Sequence, residues 1–242
     1  MFPSRIWHGL KLPSMRIGPV FRDRADAGRK LAQLVVRSAV DTDSLVLALP
    51  RGGVPVGFEL ASALQMALDV FLVRKLGFPA QEELAIGAIA SGGVRVLNEA
   101  LIRELQVSSN LIEQLTARED AELRRREQLY RQGRPAQPIR GRVVIVVDDG
   151  LATGASMKAA ARAVRLQEPK RVIVAVPIAA KQTCHELRLY ADDVVCVHTP
   201  EPFVAVGVWY EDFGQTTDDE VQDLLKRAEE RLLNRGLGTR EN

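Results

Sequence analysis

The sequence is poor in the residues that mark several classes of function. It has two cysteines, Cys184 and Cys196, and three histidines, His8, His185 and His198. No Cys-x-x-Cys pairing occurs and the histidines are scattered, so no zinc-ligand spacing exists. Both cysteines lie in apolar-periodic segments, which predicts two separate buried thiols and excludes a disulfide-stapled scaffold. Long hydrophobic runs are also missing. The longest, such as Val143–Val147 and Val172–Pro177, fall far short of the ~20 residues of a membrane helix. No secretory hydrophobic region follows the start, so the expected location is cytoplasmic. Nor does one charge sign dominate: 33 basic against 31 acidic residues leave +2, too balanced to imply nucleic acid.

What remains is the make-up of an ordinary globular protein, with 46% hydrophobic and 26% charged residues. At ~150 residues per domain, 242 residues make one core with elaborations. Short apolar runs alternate with helical stretches. After an aperiodic arm over 1–20, Asp23 is a candidate N-cap for a helix through Ala27, Leu31, Leu34 and Val35. Leu45–Leu49 reads as a buried strand, Val54 to Met66 as a helix, and Val70–Val73 as a strand closed by Arg74-Lys75. Downstream come a strand at Val143–Val147, a helix at Ala155–Gln167, a strand at Val172–Val176, a helix at Lys181–Tyr190 and a strand at Val194–Val197. This rhythm predicts an α/β fold, a Rossmann-like parallel sheet flanked by helices.

Two segments break the rhythm. Residues 84–98 read as a β-hairpin turning at Ser91-Gly92-Gly93. Residues 99–135, rich in Glu, Arg, Gln and Leu, read as an insert of two helices stopped by Gly133 and Pro135. The run Arg124-Arg125-Arg126 lies there among Glu119, Asp120, Glu122 and Glu127, and mixed signs at helical spacing predict a solvated face. Residues 214–242 carry a final amphipathic helix, a surface for packing or for a homodimer.

The chemistry concentrates in Val143-Val144-Ile145-Val146-Val147-Asp148-Asp149-Gly150-Leu151-Ala152-Thr153-Gly154-Ala155-Ser156. A buried strand delivers two adjacent carboxylates at its C-terminal edge, where open α/β sheets bind ligands. The following loop enters a helix, and free N–H groups there, with the Thr153 and Ser156 hydroxyls, suit a phosphate monoester. The acids beside it can accept hydrogen bonds from sugar hydroxyls. No lysine follows the glycine and no Gly-x-Gly-x-x-Gly occurs, which excludes the triphosphate P-loop and the dinucleotide fingerprint.

Asp148-Asp149-Gly150-Leu151-Ala152-Thr153-Gly154 resembles the fingerprint of type I phosphoribosyltransferases, and the resemblance runs over about 21–213. It implies that Asp148 and Asp149 hold the ribose hydroxyls of 5-phosphoribosyl pyrophosphate and, directly or through water, Mg2+. The loop Gly150, Leu151, Ala152, Thr153, Gly154, Ala155 and Ser156 would hold the 5′-phosphate. Pro50-Arg51-Gly52-Gly53 is similar to the family's pyrophosphate loop, with Arg51 adding charge and Gly52 and Gly53 permitting close backbone approach. Arg74 and Lys75 are similar to the Arg-Lys stretch of adenine and orotate members and would neutralise the leaving group. The hairpin 84–98 stands where the family keeps a mobile loop that closes over substrate.

The resemblance implies transfer of the phosphoribosyl group to a nitrogenous base with release of pyrophosphate. Members that use 6-oxopurines carry a third aspartate where this chain has Ala152, so the acceptor stays open. The hood, 198–213, offers Phe203, Trp209 or Tyr210 for stacking and Glu211 or Asp212 for ring N–H groups; His198 is expected to be a satisfied polar residue. Two other classes remain: a phosphoribosyl pyrophosphate sensor with nucleic-acid contact, and a hydrolase of a phosphorylated sugar.

Overall fold

The computed structural model describes residues 18–35, 41, 43–79 and 81–238; the arm expected over 1–20 lies outside them except at its end. In chain order the elements are α1 (Arg24–Val35), β1 (Leu45–Ala48), α2 (Gly53–Leu64), β2 (Ala67–Val70), β3 (Val73–Phe78), β4 (Gln81–Ala90), β5 (Val94–Leu97), α3 (Glu99–Glu104) and α4 (Ser109–Arg131). They continue with β6 (Val143–Val147), α5 (Ala155–Arg165), β7 (Arg171–Ile178), α6 (Lys181–Leu187), β8 (Asp193–His198) and α7 (Asp218–Gly238). Five strands form a parallel sheet in the order β2-β1-β6-β7-β8. The expected α/β class is therefore what the chain adopts.

Continuous apolar strands follow from a sheet covered on both faces. Successive side chains point to opposite faces, and the core divides accordingly. Val46, Ala48, Val143, Ile145 and Val147 join the cluster under α1, α2, α4 and α7. Leu45, Leu47, Val144 and Val146 join the opposite one, with Met157, Ala160, Ala161 and Val164 of α5. The Asp23 cap is present, its Oδ1 accepting the Asp26 N–H at 2.6 Å. No helix among the described residues is long and apolar enough to cross a membrane.

The run Val70–Val73 is not one strand. β2 ends at Val70, the chain turns through Phe71 and Leu72, and β3 starts a second, antiparallel sheet ordered β3-β4-β5. All four residues are apolar, so no pattern break marks the change of sheet. Arg74 and Lys75 thus lie inside an antiparallel strand, not at the end of a parallel one. The hairpin itself forms over the expected residues, but its turn does not cover the Asp148–Asp149 loop. Gly92 packs on Gln167, whose Nε2 donates to the Ser91 carbonyl at 3.0 Å. Gln167 follows the C-terminal end of α5, about 16 Å of helix from the end that faces the acids.

The two expected insert helices are α3 and α4, capped by Asn98 and Ser108. The end of α4 is tied to the sheet edge: Arg131 is 9% exposed and donates to Asp69 Oδ1 at 3.0 Å and to the Val70 carbonyl at 3.0 Å. Cys184 and Cys196 correct the expectation of separate thiols. α6 folds back beside β8, and the two residues, half-buried, are joined as a disulfide.

Candidate active site

Strand order reverses at β1. The chain leaves β1 for β2 on one side, whereas β6, β7 and β8 build outward on the other. The crevice outside the C-terminal ends of β1 and β6 is the switch point where such sheets bind ligands. Both glycine-containing loops emerge there, and the Leu49 N–H, bonded to the Val147 carbonyl at 2.8 Å, draws them together. The Pro50–Arg51 peptide is cis. Gly52 lies so close to the Asp149 carboxylate that a Cβ would run into it. Any side chain at Gly52 would displace the acid, which is why the second loop needs glycine in the first.

The acids are held by short-range contacts. The Asp149 N–H donates to Asp148 Oδ1 at 2.9 Å, and Arg24 Nε donates to Asp149 Oδ2 at 2.8 Å. Arg24 also donates to the Gly214 carbonyl at 2.5 Å and lies 4.0 Å over the Phe213 ring. Two carboxylates share this one cation. Burial pushes the Asp148 carboxyl well above the usual carboxylate range, and the neighbouring Asp149 charge adds to the rise. Burial also raises Asp149, against the pull of Arg24. Two buried carboxyls side by side are thus costly to ionise together, and Arg24 offsets part of that cost at Asp149.

Gly154 caps α5 in the left-handed region, at φ +67, the conformation that aims the next N–H groups at the loop's concave side. Ala152, Thr153, Ala155 and Ser156 are exposed around it. Leu151 is buried and anchors the loop, bridging to Ala179 through its N–H on the Ile178 carbonyl at 2.9 Å. From α6, Thr183 Oγ1 donates to the Ala152 carbonyl at 2.7 Å.

A cleft of about 140 Å³ brings Asp148, Ser156 and Pro50 together with Arg74 and Arg126. Lys75 does not join them; it lines a neighbouring groove with Arg118. Arg51 turns toward the start of α7, its Nη1 3.7 Å from Asp218 Oδ1. Three further residues shape the site without any sequence motif to mark them: Arg24, Arg126 and Glu119. Each acts on residues distant in the chain, so local pattern carries no signal for it. Arg126 belonged to the run expected to be wholly solvated. Arg124 and Arg125 fit that expectation, paired at 2.7 Å with Asp120 and Glu122.

The hood is anchored by backbone pairing of Phe21 with Tyr210 and of the Asp212 N–H with the Arg22 carbonyl at 2.8 Å. Trp209 and Tyr210 are 3% and 4% exposed, which corrects the expectation of rings open to a heterocycle. Trp209 meets His198 edge-on at 5.3 Å. Tyr210 lies between Phe21 and Phe213 and donates its hydroxyl to the Asp149 carbonyl at 2.6 Å. Burial raises the pKa of that hydroxyl far above its usual value. Phe203 is partly open, whereas Phe213, Glu211 and Asp212 are exposed.

Residues 21–211 match the model of the phosphoribosyl transferase domain family. Two curated Mycobacterium tuberculosis proteins, of strains CDC 1551 and H37Rv, carry the provisional name phosphoribosyl transferase and are 47% identical over 209 residues. That alignment takes in 86% of this chain and 47% of theirs, so the chain spans about half the length of the curated relatives it matches. A crystal structure of the Thermus thermophilus protein TT1426 is 43% identical with a TM-score of 0.78, covering 86% of this chain and 98% of the other. Since the matched stretch contains every strand of the parallel sheet and both loops at its switch point, the chain belongs to the phosphoribosyl transferase domain family.

Proposed function

We propose that the chain is a phosphoribosyltransferase that binds 5-phosphoribosyl pyrophosphate with Mg2+ and transfers the phosphoribosyl group to a nitrogenous base, purine or pyrimidine, releasing pyrophosphate. The observation that carries this reading is the Asp148–Asp149 pair set between two glycine loops at one crevice, with Gly52 against Asp149. The N-terminal turn of α5 and the Thr153 and Ser156 hydroxyls take the 5′-phosphate. Asp148 and Asp149 accept hydrogen bonds from the ribose hydroxyls. The Pro50–Gly53 loop and Arg74 face the pyrophosphate, spreading the charge that develops on it as the anomeric C–O bond breaks. Holding both reactants in line supplies much of the remaining acceleration.

The donor set fits Mg2+. Carboxylate oxygens are its preferred ligands, and it is commonly held by one or two carboxylates together with substrate phosphates. Among the described residues no group of three or more His, Cys, Asp or Glu side chains could hold a metal ion. Asp148 and Asp149 would hold the ion, which would supply positive charge to offset the negative charge of the leaving group. Ala152 has no group to take a proton from a ring nitrogen, so this reading assigns no base catalysis there.

Calorimetry with 5-phosphoribosyl pyrophosphate and Mg2+, repeated with a panel of purines and pyrimidines, tests the proposal. The expected result is binding that one class of base tightens, with pyrophosphate released. Absence of binding at millimolar ligand overturns it; binding without pyrophosphate release from any base replaces it with the sensor.

A further inference from the structure

Helix α4, the longer helix of the insert, packs over one face of the core and bears on both arginines of the cleft. Glu119 is buried at 7% exposure and faces β3. Its Oε2 accepts Arg74 Nε at 2.7 Å and lies 2.6 Å from Arg74 Nη2; its Oε1 accepts Arg118 Nε at 3.0 Å. These bonds fix the direction of a long side chain that would otherwise sample many rotamers. Seven residues on, two turns along the same face of the helix, Arg126 lines the cleft with Asp148, Ser156, Pro50 and Arg74.

Arg126 is engaged but not saturated. Its Nε donates to Glu122 Oε1 at 2.7 Å, and Glu122 also holds Arg125 through both oxygens. One carboxylate is therefore divided between two guanidiniums. A guanidinium carries five N–H donors in a planar fork, and among the described residues Arg126 uses one. The cleft thus sets two guanidiniums and a serine hydroxyl around a space bounded by Asp148 and the Pro50 loop, an arrangement for a multiply charged anion beside the sugar.

We propose that α4 forms the second wall of the active site: Arg126 binds the pyrophosphate group of the substrate, and Glu119 is a positioning residue that holds Arg74 on the same anion. This rests on the phosphoribosyltransferase reading and assigns the helical insert to the leaving-group end of the substrate.

The test is titration calorimetry with Mg2+ and three probes: pyrophosphate, 5-phosphoribosyl pyrophosphate and ribose 5-phosphate. In Arg126→Ala, Kd for the first two rises about tenfold or more, the worth of a charge-assisted hydrogen bond, and Kd for ribose 5-phosphate is unchanged. Arg126→Lys, which keeps the charge but loses the fork, recovers part of the affinity. Glu119→Gln weakens pyrophosphate binding in the wild-type background and has no further effect in Arg74→Ala, a pattern that a merely structural role does not produce. Unchanged pyrophosphate affinity in Arg126→Ala, or an equal loss for ribose 5-phosphate, overturns the role of Arg126. Additive effects of Glu119→Gln and Arg74→Ala overturn the positioning role. Failure of the wild-type protein to bind 5-phosphoribosyl pyrophosphate defeats the transferase reading instead.

Discussion

The two walls of the cleft are made in different ways. One consists of the loops that leave β1 and β6, where backbone N–H groups, glycines and the adjacent Asp148 and Asp149 come from short stretches of chain. The other consists of β3 and α4, where the active groups are guanidinium tips: Arg74 is held by Glu119, 45 residues on, and Arg126 by Glu122 on its own helix. A wall of backbone is specified by local conformation and tolerates little change at a position such as Gly52. A wall of long side chains depends on its supports, and the decisive one is the buried join of Arg131 to Asp69 that seats the end of α4 on β2.

The comparison breaks most sharply at the acids. Asp148→Asn combined with Asp149→Asn should cost about a hundredfold or more in affinity for 5-phosphoribosyl pyrophosphate, through two weakened charge-assisted hydrogen bonds. The far-UV circular dichroism should not change. Affinity equal to wild type would mean that the loop wall is not the sugar site.

An effect of comparable size concerns stability. Arg131→Met leaves the Asp69 carboxylate, 5% exposed, without its charge partner. Breaking a buried pair costs about 3–5 kcal/mol, so Tm should fall on the order of 10 °C, read by calorimetric melting. Below that Tm, ribose 5-phosphate, which needs only the loop wall, should still bind.

Asp148→Asn alone sharpens the electrostatic side. An acid whose pKa is raised by folding binds its proton more tightly in the native state, so its ionisation removes stability as pH rises above 3.8 and through the raised value. Asparagine does not titrate. The variant should therefore melt higher than wild type at neutral pH, with the gain fading toward the ordinary carboxylate value. A difference independent of pH would contradict burial of the charge.

The smallest effect is expected at Arg124→Ala. Arg124 is 70% exposed and, among the described residues, paired only along its own helix, and such pairs contribute little. Melting and ligand affinity should match wild type. Two residues further along α4, Arg126→Ala should lose pyrophosphate affinity, and that contrast separates solvated face from active-site wall.

Much of this was legible in sequence because it rests on short-range rules. Val143–Val147 reads as a buried strand, and Asp23 as a cap, because hydrophobic period and hydrogen-bond geometry act within a few residues. The Asp148–Ser156 loop is legible for the same reason. The places where reading by pattern fails share a cause as well. Phe71 and Leu72 continue an apolar run across a change of sheet, so Arg74 and Lys75 were expected at a parallel strand's end, and only Arg74 reaches the cleft. Trp209 and Tyr210 have the composition of a stacking platform, but Phe21, His198 and Phe213 enclose them. The Ser91–Gly93 turn has the glycines of a moving loop, but Gln167 holds it at the far end of α5.

The sequence by itself determined the α/β rhythm, the paired acids at a strand end and the anion loop that follows them, since each depends on residues within one or two turns of each other. Only the tertiary structure decided that Arg24 pairs with Asp149, that Arg126 lines the same cleft as Asp148, and that Cys184 meets Cys196. Such meetings depend on how α1, α4 and α6 pack against the sheet. Packing sums many weak contacts between residues tens of positions apart, and no single segment of the chain encodes that sum.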